Sequence, residues 1–415
     1  MSPDRLVPTL LLIAWLAPLA SFAVTAVAGA VLAQRDRGVD AASARTIARV
    51  ATGAVLASLI ASLVALGVWV GEHGAAPAKH GAEYDTAEPR AVAEAGAPVA
   101  FHDAIDHPAV VPHAHDPAAY TGEWFRFLEV GPLEASAGYY LDGLAVLMAV
   151  VVTLVASCVH VYAMGYLAEE TAAEGDDAVT DREVTTYYGE PFRRAGRLHR
   201  FYQHLSLFTF AMLGIVVAGN ALQTFVFWEL VGATSYLLIG FYYERPKAAA
   251  AANKAMLVNR VGDVGMLVGL MALWSLAGTL EYRELFARAG EWLATPGDAY
   301  SLLAVAAGGM VLGCVGKSAQ APLWSWLPDA MAGPTPVSAL VHSATMVAAG
   351  VFLIARLTPL MPVEVLQAVA VIGAVTLLLG AVLATAATDL KRVLAFSTIS
   401  QLGFMTLSLG LGGWT

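Results

Sequence analysis

Charged residues are scarce in this sequence: Asp, Glu, Lys and Arg make up 13% of 415 positions, against 58% hydrophobic residues. A soluble domain carries about a quarter charged residues, so a water-exposed surface for a chain this long is excluded, and lipid is the solvent it fits. Cysteine is nearly absent. Cys158 and Cys314 both lie in apolar runs, which excludes a disulfide framework and a cysteine-based zinc site. Basic stripes and aromatic platforms are missing, and with them nucleic acid as a partner. No activated nucleophile, phosphate loop or metal cage is visible, so no cofactor or metal is expected in this chain. No cleavable leader is expected either. The apolar run from Leu6 to Leu32 is too long for a signal h-region and suits a spanning helix, which needs about 20 apolar residues.

What is present is a series of ten candidate spans, near 6–33, 49–71, 137–166, 203–219, 221–243, 253–278, 301–328, 336–357, 363–386 and 390–411. The fourth and fifth are separated only by Gly219-Asn220, and prolines interrupt the seventh. An all-α polytopic membrane protein is therefore expected, with the lipid bilayer as its first partner. Short cytoplasmic loops retain Lys and Arg. Arg35, Arg37 and Arg45 lie in the first loop, Arg182, Arg193, Arg194, Arg197 and Arg200 in the third, Arg245 and Lys247 in the fifth, and Lys391-Arg392 at the ninth. Those loops read as cytoplasmic, which puts both ends of this chain outside an inner (cytoplasmic) membrane. The outer loop 72–136 carries His73, His80, His102, His107, His113 and His115. Clustered imidazoles suit metal capture or pH sensing, but the Ala, Pro and acid around them favour a solvated insert. The acidic stretch 168–190 reads as a second flexible loop. The chain stops at Gly412-Gly-Trp-Thr415 with no polar tail, and a continuation beyond it is expected.

Ionisable residues inside spans are expensive and mark function by default. Here they are Asp142, Glu229, Lys254, Arg260, Asp263, Lys317 and Lys391, with His342 as the one clearly intramembrane histidine. Glu229 lies about eight residues past Gly219-Asn220, well inside the hydrocarbon, and requires a cation beside it. Lys317 opens Gly316-Lys-Ser-Ala-Gln-Ala-Pro. Pro322 has no N–H to give the carbonyl of Ser318, which frees a polar backbone group next to the lysine. Unwound backbone at this depth is tolerated where it is buried in protein or lines a wet cavity. Lysine, break, Ser318 and Gln320 together read as a hydrated proton site. Ser338, His342 and Thr345 fall at i, i+4 and i+7 of one helical face. Lys391, Thr398, Gln401 and Ser408 share another, although Lys391 also suits anchoring at the membrane edge. Arg260 and Asp263, at i and i+3, are expected to pair, as a structural bond or a relay. Lys254 and Asp142 carry the weakest signals. A row of titratable groups across several helices behaves as one coupled set, which is what proton transfer along a water wire needs.

The motifs Asp142-Gly-Leu, Phe227-Trp-Glu-Leu-Val-Gly, Asn259-Arg-Val-Gly-Asp, Gly316-Lys-Ser-Ala-Gln, the run from Leu327 to Val347, and Thr388-Asp-Leu-Lys-Arg to Gly403 resemble the subunit L (NuoL) family of NADH–quinone oxidoreductase, respiratory complex I. The resemblance covers about 137–411. It implies an antiporter-like fold with inverted five-helix repeats and proline-broken helices. It also implies a proton-translocating role for Glu229 and Lys317 as a central pair, with His342, Lys391, Arg260 and Asp263 beside them; Lys254 joins these candidates as a charge inside a span. NAD, FMN, iron–sulfur clusters and quinone would then belong to partner subunits, the other membrane subunits of a multi-subunit complex included. By this comparison residues 1–71 hold helices one and two, 72–136 the outer loop, and 137–200 helix three with the acidic loop. Residues 201–357 form the first repeat, and 358–415 begin the second. Loop 72–136 is longer than that family carries. The same motifs recur in Mrp-type cation/proton antiporters, membrane-bound hydrogenases and the membrane subunit of inorganic-carbon uptake systems. A non-conducting scaffold and a sodium-coupled antiporter are further alternatives.

Overall fold

The computed structural model describes residues 2–33, 41–73, 119–130, 133–168, 183–185, 191–193, 197–294, 297–342 and 345–412. Among them, ten segments are long and apolar enough to cross a membrane. They are α1 (Pro3–Ala33), α2 (Ala41–His73), α3 (Gly143–Tyr166), α4 (Leu198–Val217), α5 (Ala221–Ile239), α6 (Pro246–Ala277), α8 (Asp298–Lys317), the pair α10 (Thr335–His342) and α11 (Met346–Leu357), α12 (Val363–Ala386) and α13 (Leu390–Gly410). Between α6 and α8 lies α7 (Tyr282–Ala294), and a single turn, α9 (Trp326–Asp329), follows α8. The sequence pattern does not anticipate α7. Its Tyr282, Leu285, Phe286, Ala289 and Trp292 recur at helical spacing and bury one face.

Two short antiparallel hairpins stand outside the spans: β1 (Tyr120–Val130) with β2 (Leu133–Leu141), and β3 (Glu183–Thr185) with β4 (Pro191–Arg193). The third span therefore starts later than the 137 expected. Strand β2 runs to Leu141, and Asp142 then caps α3, its Oδ1 accepting the Ala145 N–H at 2.7 Å. His80, His102, His107, His113 and His115 lie outside the described residues, as do 169–182 and 186–190 of the acidic stretch. His73 ends α2 and stacks on Trp69 with ring centroids 4.6 Å apart.

Helix α4 and the α10–α11 pair are the most enclosed, while α2 and α12 turn most of their surface outward. Exposed Val371, Val375, Leu378 and Val382 on α12 suit lipid. In lipid, helices associate through close packing of small residues rather than through the hydrophobic effect. Helix α6 does so against α8. A Cβ on Gly309 would lie 2.6 Å from the Gly265 carbonyl oxygen and 2.7 Å from Gly269 Cα, and one on Gly262 would lie 3.2 Å from Gly316 Cα. No side chain fits there. The turn between α4 and α5 is pinned in a similar way. A Cβ on Gly219 would sit 2.6 Å from the Gly138 carbonyl carbon, and the Gly219 N–H donates to Gly138 O at 3.1 Å.

Two of the runs read as continuous spans are interrupted. Helix α8 ends at Lys317, short of the 328 expected, and irregular chain follows to Ser325. The polar groups this frees are met by side chains. Trp326 Nε1 donates to Gly316 O at 3.0 Å, and Gln320 Nε2 donates to Ser318 O at 3.1 Å. Thr376 Oγ1 accepts the Ala321 N–H at 2.9 Å. The Ser318 carbonyl is the one that Pro322 cannot serve. Helix α10 ends at His342 and α11 begins at Met346, with 343–344 outside the described residues. Thr345 has φ −122° and ψ −98°, outside helical geometry, so the single face expected for Ser338, His342 and Thr345 does not form. The Thr345 hydroxyl instead donates back to Leu340 O.

Candidate functional site

The central group is assembled by α5, α6 and the end of α8. Asn220 caps α5, its Oδ1 accepting the Gln223 N–H at 2.7 Å, which sets the rotation of Trp228 and Glu229 two turns on. Successive residues of a helix point about 100° apart. Trp228 is fully buried and its Nε1 donates to Asp263 Oδ1 at 2.9 Å. Glu229 therefore turns toward the margin, where it forms an ion pair with Arg260. Lys317 Nζ stands 3.6 Å from Asp263 Oδ2, with both side chains almost fully enclosed at 1% and 3% exposure. The ammonium lies 5.9 Å from the Trp228 ring centroid, and a Cβ on Gly232 would approach it to 2.7 Å. Glycine at 232 is the space that Lys317 occupies.

The pairing differs from the one expected. The sequence pairs Glu229 with Lys317 and Arg260 with Asp263, but in the structure the partners are exchanged. The Gly262–Gly316 contact brings the inward face of α6, with Asp263, against the end of α8. Arg260 is 42% exposed on its side chain and lies on the outer edge of α6, where its long stem reaches Glu229. The result is an alternating row of Glu229, Arg260, Asp263 and Lys317, formally neutral in sum.

Around this row, several buried polar atoms have no hydrogen-bond partner among the described residues: Lys317 Nζ, Asn259 Oδ1, Gln320 Oε1 and both ring nitrogens of His342. His342 sits behind Trp326, ring centroids 6.1 Å apart. Lys391 donates to the Gly333 carbonyl at 3.5 Å, which ties the start of α13 to the turn before α10. Of its companions on that face, Thr398 and Ser408 are half-buried and Gln401 is exposed. Lys254 is not part of the buried row. It pairs with Asp329 at 2.7 Å, and Arg392 approaches the same carboxylate at 3.8 Å. Asp142 is paired as well, to Arg356 at 3.3 Å.

Sequence reasoning missed three residues. Asp329 closes α9 and receives Lys254; a lone Asp after Trp-Leu-Pro was its only signal. Arg356 lies inside an apolar run, its side chain 1% exposed. It donates to the carbonyls of Tyr140, Val216 and Ala218 at 3.1–3.4 Å. His160 was also overlooked, so His342 is not the one intramembrane histidine. The His160 side chain is fully buried in α3, with Nδ1 2.7 Å from Ala156 O. Among the described residues no group of three or more His, Cys, Asp or Glu is placed to hold a metal ion.

A bundle of ten spans, with a helix broken at a buried lysine, is the architecture of an antiporter-like membrane protein. Over 95% of its length the chain superimposes on a chain of the Mrp complex from Dietzia sp., with TM-score 0.64 and 26% identity, covering 34% of that chain. The fold likewise matches a chain of an archaeal membrane-bound sulfane sulfur reductase at TM-score 0.63 and 18% identity, covering 99% of this chain and 65% of that one. Residues 218–415 match the family "NADH:quinone oxidoreductase/Mrp antiporter, TM", and residues 124–174 match "NADH-Ubiquinone oxidoreductase (complex I), chain 5 N-terminus". The chain is 44% identical over 292 residues to chloroplastic NAD(P)H-quinone oxidoreductase subunit 5 of Chaetosphaeridium globosum, a stretch that is 70% of this chain and 40% of that protein. It is 44% identical over 304 residues to NAD(P)H-quinone oxidoreductase chain 5 of Picosynechococcus sp., 72% of this chain and 41% of that one. The chain belongs to the antiporter-like family of complex I subunit 5, the subunit L type. It spans about 40% of the length of these relatives.

Proposed function

We propose that this chain is the proton-translocating membrane subunit of a NAD(P)H–quinone oxidoreductase, working by coupled titration of its buried row. The observation that carries this reading is Lys317. It is a fully buried ammonium at the end of a broken helix, 3.6 Å from its counter-ion and making no hydrogen bond among the described residues. A buried cation with unfilled donors holds its proton only while Asp263 stays charged and near. Moving Lys317 toward Glu229 would free Arg260 for Asp263, three residues away on the same helix. The row therefore has two pairings with similar charge balance, and a proton entering or leaving one group biases the rest. A proton leaving Lys317 would pass Trp326 to His342 and continue toward Lys391. The flavin, iron–sulfur and quinone chemistry belongs to partner subunits in this reading. The chain lies in the inner membrane with both of its ends outside, residues 201–357 forming one repeat and 358–415 the start of the next.

A second reading, a subunit of a Mrp-type cation/proton antiporter, is favoured by the fold match over 95% of the chain. Gentle extraction from native membranes, native-gel separation and mass spectrometry separate the two. Co-migration with flavin- and iron–sulfur-bearing subunits and in-gel NAD(P)H oxidation are expected. Co-migration with small membrane subunits alone would overturn quinone coupling in favour of the antiporter.

A further inference from the structure

The α4–α5–α6 end of the bundle holds a cavity of about 360 Å³ that the proton row does not use. That is within the size range of small-ligand sites, about 300–1,000 Å³. One wall is basic. Arg197, Arg200 and His204 stand at i, i+3 and i+7 along the first two turns of α4 and its cap. The opposite walls are aromatic and small, from Tyr236 on α5, Phe241 and Tyr243 beyond it and Ala249 on α6.

The charges in this cavity are unequally satisfied. Arg197 is buried and paired with Glu244, with its guanidinium 4.5 Å from the Tyr243 ring centroid. That pair is neutral in sum. Arg200 is exposed and has no ion-pair partner among the described residues, and His204 Nδ1 is buried without a hydrogen bond. A neutral apolar ligand would leave both groups unanswered, whereas an anion answers both. Exposed tyrosine and leucine side chains flank the cavity beside Arg200 and Asn253. Tyr236, Leu237 and Tyr243 are 38%, 41% and 59% exposed, and Leu257, two turns further along α6, is 69% exposed. Such a surface suits acyl chains, and exposed tyrosines are typical of the headgroup level. Basic pockets between spanning helices recognise anionic headgroups through the same combination.

We infer that this cavity binds the phosphate headgroup of an anionic phospholipid, Arg200 and His204 meeting the phosphate while the tails lie along Tyr243 and Leu257. The inference is independent of the proton-transfer reading. Its test uses the full chain, purified in detergent, stripped of lipid and titrated by native mass spectrometry with phosphatidylglycerol. Phosphatidylcholine of the same tails and soluble glycerol 3-phosphate serve as comparison probes. Phosphatidylglycerol should bind in preference to both. Loss of one surface cation costs about 1 kcal/mol, or about fivefold in affinity. The R200Q variant should therefore weaken binding about fivefold and R200Q/H204Q further, while K247Q, a cation at the same end outside the cavity, leaves it unchanged. Ala249→Leu fills the cavity without altering charge and should also displace the lipid, a check that survives if the double variant is poorly folded. Equal binding of phosphatidylcholine, equal loss in K247Q, or retention of lipid by A249L would overturn the proposal. Glycerol 3-phosphate binding as tightly as the lipid would overturn it too, by making the site one for a soluble anion.

Discussion

Replacing Gly309 with Ala adds one methyl group to the α6–α8 seam, and the seam has no room for it. The new Cβ would lie 2.6 Å from the Gly265 carbonyl oxygen and 2.7 Å from Gly269 Cα, where ordinary contact begins at 3.4 Å. All of these neighbours are backbone, so no rotamer relieves the clash, and the helices must part by roughly 0.8 Å locally. Overpacking of this kind costs about 1–3 kcal/mol. Lys317 lies on the same helix about 12 Å further along, and its 3.6 Å approach to Asp263 widens as the seam opens. Gly308, the adjacent position, has nothing within 4 Å of a built Cβ. There Ala should be neutral or stabilising by about 0.5–1 kcal/mol, because it removes backbone freedom from the unfolded chain. Reversible unfolding in mixed micelles of wild type, G309A, K317M and the double variant measures the coupling. If the methyl acts partly by spreading the ion pair, its cost shrinks in the K317M background, with an interaction energy of about 0.5–3 kcal/mol. Additivity within about 0.3–0.5 kcal/mol, or equal effects of G308A and G309A, would refute the reasoning.

Arg356→Met should destabilise the chain by about 3–5 kcal/mol, since it removes the buried counter-ion of Asp142 and the guanidinium that three backbone carbonyls accept from; thermal unfolding in detergent measures this. Glu281, in the connection before α7, accepts from Asn220 Nδ2 at 3.2 Å and Ser136 Oγ at 3.4 Å, yet burial outweighs these bonds and raises its pKa above the ordinary 4.5. The folded state therefore holds this proton more tightly than the unfolded chain, so stability falls as pH rises from the ordinary value through the raised one, then levels. Glu281→Gln keeps both bonds and should remove that slope; an unchanged pH profile of unfolding would contradict it. Asp389 Oδ1 accepts the Lys391 N–H at 2.8 Å at the start of α13, and Asp389→Ala should cost about 1 kcal/mol in the same thermal assay.

Helix number was legible because lipid writes it directly into composition, and the ten spans found match the ten read. The candidate row was legible as a set of charges, since a charge inside an apolar run is costly to bury and stands out from its neighbours. Its pairing was not. Whether Lys317 meets Glu229 or Asp263 depends on the rotation of α5 and on how closely α6 approaches α8, and the glycines that set this approach carry no charge signal. Gly262, Gly309 and Gly316 read only as small residues until their contacts are seen. The break after Lys317 was foreseen from Pro322, but the break at Thr345 was not, because no proline interrupts the chain between His342 and Met346. Arg356 stayed hidden for a different reason. Its partners are carbonyls of segments more than a hundred residues away in sequence, and no local pattern announces them.

Proton movement by the intact complex, reconstituted into liposomes with a pH-sensitive dye inside and driven by NAD(P)H and quinone, tests the central claim most directly. With Lys317→Met, the complex should assemble and this chain's share of proton movement should disappear. Proton movement at the wild-type rate and stoichiometry in that variant would contradict the account.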